Sequence, residues 1–305
     1  MKLLPISSTE TLWRCRSFKA SSEDVFITSY PKSGTTWLQA QVWALINLNG
    51  ERGGAESLAL SHITDFAPFF EADTSWEDSA EPKLKAKYNE SHRKLGRRIF
   101  NTHLLPSQLP MGDCKIIYVV RSGRDVAWSF FNHLSNQIED GGDDFGSFDN
   151  FLQLWLNGDI PYSKWVDHLK TWKAFIDSPE GDSRVLLLHY EDMKEDLGRE
   201  MKKISAHLGL ENLTESDIEG LVDSLTFSSM KSNLKKYEPV SVRWREGYSF
   251  LRKGTVGDSL SHFVDTETGN STELGLLYDC VMKGDLADGE LDPLTRDFIE
   301  KLAFL

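Results

Sequence analysis

The sequence predicts an α/β fold, a single domain with a central parallel sheet flanked by helices on both faces. Three observations carry this prediction. Short apolar runs at 25–28, 115–120 and 184–188 read as buried strands, too continuous for a sheet with one wet face. Each run leads through a few polar residues into a stretch with helical spacing, the alternation that builds parallel sheets. No internal repeat, low-complexity tract or linker divides the 305 residues, so residues 1–305 read as one domain.

Taken in order, 25–28 is a strand, 29–34 a loop and 35–48 a helix, with Leu38, Val42, Leu45 and Ile46 on one face. A polar, acidic stretch covers 71–90. Residues 98–100 form a short strand closed by Asn101, Thr102 and His103. The run 115–120 enters Arg121-Ser122-Gly123-Arg124-Asp125, then a helix over 126–133. Residues 139–149 hold five acids and three glycines and read as a surface loop. A helix is expected over 151–176, anchored by Trp155, Trp165, Leu169 and Trp172. The strand 184–188 leads through 189–193 into a helix ending near Leu208.

Composition narrows the function. With 40% hydrophobic and 27% charged residues the chain is ordinary soluble material, but its formal net charge is −13. So acidic a chain is a poor general binder of nucleic acid or anionic membrane, and any polyanion must be held at a local basic site. Cys15, Cys114 and Cys280 are odd in number and far apart, without zinc spacing, and read as reduced, buried or half-buried thiols of a cytoplasmic protein. The first ten residues carry no apolar signal core. The longest apolar candidate for a membrane span, 37–48, is interrupted by Gln39, Gln41 and Asn47.

The loop Tyr30-Pro31-Lys32-Ser33-Gly34-Thr35-Thr36-Trp37 leaves a strand and enters a helix. A helix N-terminus offers unpaired N–H groups and a positive dipole end, glycine admits an anion close to the backbone, and Lys32 adds a full charge. Alone, Lys-Ser-Gly is a tight turn with a solvated lysine; the whole octet after an apolar strand is an anion cradle. The lysine precedes the glycine, so the loop is P-loop-like without being a Walker A motif.

This octet resembles the 5′-phosphosulfate loop of the cytosolic sulfotransferases, which use PAPS (3′-phosphoadenosine 5′-phosphosulfate). The likeness continues in order over roughly residues 20–265. Arg121 to Ser129 is similar to the family's 3′-phosphate site, and Phe250-Leu251-Arg252-Lys253-Gly254-Thr255-Val256-Gly257-Asp258 to the segment that closes over that phosphate. His189 to Met193 resembles the segment whose tyrosine, here Tyr190, meets the adenine edge. Phe151, Leu152, Gly158, Tyr162, Trp165, His168 and Trp172 keep a family pattern that is mostly core. The resemblance implies a P-loop-like nucleotide-binding fold, PAPS as donor, 3′,5′-ADP as product and no metal. It implies donor contacts from Lys32, Ser33, Gly34, Thr35, Thr36, Trp37, Arg121, Ser129, Tyr190, Thr226, Phe227, Met230, Phe250, Arg252, Lys253 and Gly254, with the adenine between Trp37 and Phe227. It makes His103 the base, with Lys32 on the leaving oxygen and Ser129 steering that lysine. Pro68-Phe69-Phe70-Glu71 resembles a loop of the acceptor pocket, for which Phe66, Phe69, Phe70, Trp76, His133 and Tyr248 are candidates.

The sequence also departs from the pattern. Asn101 stands where many members have lysine, Leu225 where threonine is common (Thr226 is adjacent), and Ser259-Leu260 where Trp-Lys usually follows. Leu260, Val264-Asp265 and Gly269 do not match the family's dimer segment, which implies a monomer or a dimer built elsewhere. The residues from Asn270 onward match poorly. Two rivals are an ATP-dependent small-molecule kinase, which would need a Walker-type lysine and a magnesium-holding acid, and a non-catalytic nucleotide-binding relic, which would have lost Lys32 or His103. The expected partner is a small-molecule acceptor; a phenol, a sterol and an alkaloid all fit an aromatic pocket.

Overall fold

The computed structural model describes residues 2–110, 112–138, 145–240, 242–287 and 291–305. The acidic loop expected over 139–149 lies largely outside them, at 139–144. Four strands, β1 (Asp24–Thr28), β2 (Arg98–Thr102), β3 (Lys115–Val120) and β4 (Val185–His189), form one sheet in the order β2-β1-β3-β4. Every pairing is parallel, with Phe26 opposite both Phe100 and Ile116, and Tyr118 opposite Leu187.

The strands read as continuous apolar runs because both faces are covered. Successive side chains point to opposite faces, and the two cores divide accordingly. Val25, Ile27, Ile99, Ile117, Val119 and Leu188 lie on one side with the helices Thr35–Arg52 and Leu197–Leu208. Phe26, Phe100, Ile116, Tyr118 and Val120 lie on the other with the helices Gly123–Ser135 and Trp165–Ile176.

The helix expected over 151–176 is two helices, Phe148–Asn157 and Trp165–Ile176. Gly158 ends the first in the left-handed region (φ 80°), and Tyr162 and Ser163 also have positive φ, so the helical hydrogen-bond pattern cannot run through. The four anchors nevertheless are all buried. Arg184 closes a short helix, Pro179–Arg184, and β4 starts one residue later. The poorly matched end of the chain is ordered as the helices Glu273–Ala287 and Pro293–Phe304, which bury Tyr278, Met282, Ile299 and Leu302. Cys15 and Cys114 are buried but Cys280 is exposed, because it lies on the solvent side of its helix. No helix among the described residues is long and apolar enough to cross a membrane.

Asp24, fully buried at the start of β1, takes both oxygens to Arg98 of β2 (2.5 and 2.6 Å) and accepts the Ser21 N–H (2.7 Å). Asp24→Ala removes these bonds, while the partly exposed Arg98 keeps its bond to the Lys19 carbonyl, and should cost about 1–3 kcal/mol. A urea titration checks this through a lower midpoint at unchanged slope.

Candidate active site at the carboxyl ends of the sheet

The chain runs from β1 outward to β2, then back across β1 to β3. The crevice beyond the carboxyl ends of β1 and β3 is therefore the switch point where open parallel sheets bind ligands. The loop after β1 and the loop after β3 meet there. Lys32 sits in a left-handed conformation (φ 71°) that lysine seldom adopts, and Gly34 (φ 106°) caps the Thr35–Arg52 helix. No side chain caps that helix and no acid occupies its first turn, so its terminal N–H groups stay available to an anion. A Cβ on Gly34 would come within 2.7 Å of the Tyr190 ring, so glycine is required there by space as well as by φ.

Arg121 leaves β3 into this crevice. Its NH1 lies 3.4 Å from the Lys32 carbonyl oxygen, its NH2 donates to the Thr255 carbonyl (3.1 Å), and the guanidinium stacks over Tyr190 at 4.4 Å. Its Nε is buried with no hydrogen-bond partner among the described residues. Asp125 folds the distant 252–259 segment onto the same place. It accepts from Arg121 (3.1 Å), the Gly257 and Ser259 N–H groups (2.9 and 3.1 Å) and the Ser259 hydroxyl (2.8 Å). Arg252 and Lys253 of that segment both pair with Asp258. Gly254 lies flat against the Phe227 ring, leaving no room for a Cβ. Trp37 Nε1 donates to the Leu225 carbonyl (2.8 Å), which ties the first loop to the segment carrying Thr226 and Phe227. The three basic motifs, which span residues 32–254, thus come together at one crevice in an acidic protein.

His103 follows β2 on the other side of β1. Its Nδ1–H donates to the Ser29 carbonyl (2.8 Å), which leaves Nε2 unprotonated and free to act as a base. Burial, opposed by the Ser29 bond and aided by Lys32, lowers its pKa to about 4, so the ring is neutral at pH 7. Two residues outside the predicted set hold its backbone, and a third, Tyr162, braces one of them. Glu71, fully buried, accepts the His103 N–H (2.7 Å) and the Tyr162 hydroxyl (3.3 Å), and His168 Nε2 donates to the His103 carbonyl (3.2 Å). Burial raises the Glu71 carboxyl to about 7 against hydrogen bonds from Thr102, His103 and Tyr162. Glu71 lay inside a noted motif, but nothing in its spacing signals a bond to a histidine 32 residues away.

The predicted pocket and donor positions differ in burial. Phe70 and Trp76 pack with Phe18 and Phe100 in the aromatic core, and Phe66 and Met230 are buried in the other core. Of the acceptor candidates, Phe69 sits beside His103 (ring centroids 5.6 Å apart) and Tyr248 against Trp244. His133 lies at Lys32, with Nδ1 3.1 Å from the ammonium, one helical turn beyond Ser129. Thr226 caps the Phe227–Ser232 helix by accepting the Ser229 N–H.

Burial first, and then Arg121 and Arg252, lower Lys32 to about 7. Unfolded lysine holds its proton to about 10.4, so between these values the unfolded chain binds more protons and stability rises with pH. Lys32→Met should therefore stabilise the ligand-free protein by about 1–2 kcal/mol at pH 7, a figure discounted for residual solvent contact. Melting curves should show that gain fading towards pH 10.

Comparison with known proteins agrees with this geometry. The sulfotransferase domain family matches residues 22–271. Rat sulfotransferase 1C2 is 31% identical over 85% of this chain and 84% of its own length. Rabbit amine sulfotransferase is 34% identical over 81% of this chain and 77% of its own length. The crystal structure of mouse sulfotransferase SULT7A1 complexed with PAP superposes with a TM-score of 0.68 at 27% identity, covering 97% of this chain and 95% of that one. A match spanning most of the chain, together with the anion site and the histidine beside it, establishes that this protein belongs to the sulfotransferase family.

Proposed function

We propose that this protein transfers the sulfuryl group of PAPS to a hydroxyl or amine of a small-molecule acceptor and releases 3′,5′-ADP. The convergence of the Lys32 loop, Arg121 and the 252–254 segment at one crevice, with a neutral His103 beside it, carries the reading. The orphaned Arg121 Nε and the two glycines without room for a Cβ suit a ligand with two phosphate groups. Lys32, Ser33, Gly34, Thr35, Thr36 and Trp37 would hold its 5′ end. Arg121, Ser129, Arg252, Lys253 and Gly254 would hold the 3′-phosphate, with Trp37, Tyr190 and Phe227 around the adenine. The donor supplies an activated S–O bond.

His103 Nε2 takes the acceptor's proton as the new bond to sulfur forms. Lys32 places its ammonium at the oxygen that takes up charge as the old bond breaks, acting by preorganised electrostatics in a site with little water. Asn101, a neutral donor in place of a cation, leaves Lys32 as the charge nearest the transfer. Phe69 beside His103 supports an acceptor with an apolar face. The net charge of −13 argues for a small molecule rather than a nucleic acid or anionic membrane, and we place the protein in the cytoplasm as a monomer or a dimer built outside the family's usual segment.

Three outcomes are expected. Saturating 3′,5′-ADP, at about 100 times Kd, should add about 2.7 kcal/mol in a thermal melt without metal; a response to ATP with Mg²⁺ alone would favour the kinase instead. His103→Ala should cut transfer by about 10²–10⁴ while 3′,5′-ADP affinity holds; parallel loss of both would remove His103 as the base. Gly254→Ala drives a methyl into Phe227 at a positive φ (64°), and calorimetry should show 3′,5′-ADP binding weakened about tenfold or more.

A further inference from the structure

His133 extends from the Gly123–Ser135 helix into the site, and its Nδ1 lies 3.1 Å from Lys32 Nζ. An ammonium has donors only, so Nδ1 accepts and the ring proton sits on Nε2. Burial first, then Lys32 and His103, hold the imidazole well below its ordinary pKa, which keeps that lone pair available. Both partners rest on one surface. Lys32 lies over the Phe250 ring at 4.7 Å, and the His133 ring meets Trp244 and Phe250 at 5.1 and 5.9 Å. Backbone bonds fasten that segment to the helix end, from the Ile138 N–H to the Arg243 carbonyl and from the Arg245 N–H to the Asn136 carbonyl (both 2.9 Å). Lys32 otherwise faces cations, Arg121 after β3 and Arg252 in the closing segment, together with the neutral His103.

We propose that His133 is a positioning residue for Lys32, a neutral acceptor that keeps the buried ammonium charged and aimed between two arginines. The proposal rests on the reading that Lys32 serves the leaving oxygen. It gives a histidine a task no simple spacing rule predicts, at a site where Asn101 supplies no second cation. His133 neither takes the acceptor's proton nor touches the bond that breaks. It sets the protonation and direction of the group that does.

The direct test reads the Lys32 amine by NMR on ¹⁵N-lysine-labelled protein, its signal assigned by its loss in Lys32→Met. In His133→Phe, which removes the acceptor but keeps a ring, the Lys32 pKa should fall by about half to one unit. In His133→Asn, whose amide oxygen can take the place of Nδ1, it should return towards the wild-type value. Kinetics with PAPS form the second arm. His133→Phe should lower kcat about tenfold or more, with KM for PAPS within about twofold, and should move the basic limb of the pH–rate profile to lower pH; His133→Asn should recover most of both. An unchanged Lys32 pKa in His133→Phe, or equal defects in the two variants, would overturn the proposal. So would a raised acceptor KM at unchanged kcat, which would make His133 an acceptor contact. Wild-type protein that forms no 3′,5′-ADP from PAPS would refute the proposed function instead, while the NMR arm would still decide the His133–Lys32 contact.

Discussion

One buried carboxylate joins the two ends of the site. Asp125 is 1% exposed, and from the first turn of its helix it accepts four hydrogen bonds, from Arg121 and from Gly257 and Ser259 more than 130 residues later. An unpaired buried carboxylate would be costly, and the bonds that relieve the cost also hold Arg121 and the 257–259 backbone at the crevice. Arg121 is held at the end of β3 and the 252–259 segment is pulled over it. Asp125 shares this task with the Arg121 bond to the Thr255 carbonyl and the Lys231 bond to the Arg252 carbonyl.

The electrostatics follow the same logic. An acidic chain concentrates Lys32, Arg121, Arg252 and Lys253 at one crevice and gives the arginines and Lys253 carboxylate partners, Asp125 and Asp258. Among the described residues no carboxylate pairs with Lys32, and it is the group whose charge the protein leaves expensive. The left-handed backbone at Lys32 points the same way, since strain of that kind persists only where surrounding structure enforces it.

The parts legible in the sequence were those with local signals. β3 matches its expected bounds because a six-residue apolar run buried on both faces allows little else, and the 30–37 octet was readable because strand, glycine and helix start are neighbours in the chain. The break at 158–164 carries a local signal in Gly158 and Pro161, but apolar helical spacing continues on both sides and hides it from a reading by periodicity. That break carries Tyr162 to Glu71, and so to the His103 backbone. Phe66, Phe70 and Trp76 are ambiguous in the sequence because aromatics suit both a pocket and a core. The bonds of Asp125, Glu71 and His133 span 134, 32 and 101 residues, and no periodicity reports on such pairs.

The terminal helices give the site an order of assembly. All four strands lie within residues 24–189. The groups that close the crevice come later in the chain, at 252–259, and Gly123 at the start of the Arg121 helix lies hard against Tyr278, whose hydroxyl is tied to the Ala303 carbonyl (3.0 Å). As the chain leaves the ribosome, the sheet and both cores can begin to form while the nucleotide crevice is still unroofed. The crevice therefore depends on groups that follow the sheet in the chain, and loss of the Tyr278 and Ala303 helices would remove the support beneath Gly123 while leaving every strand in place.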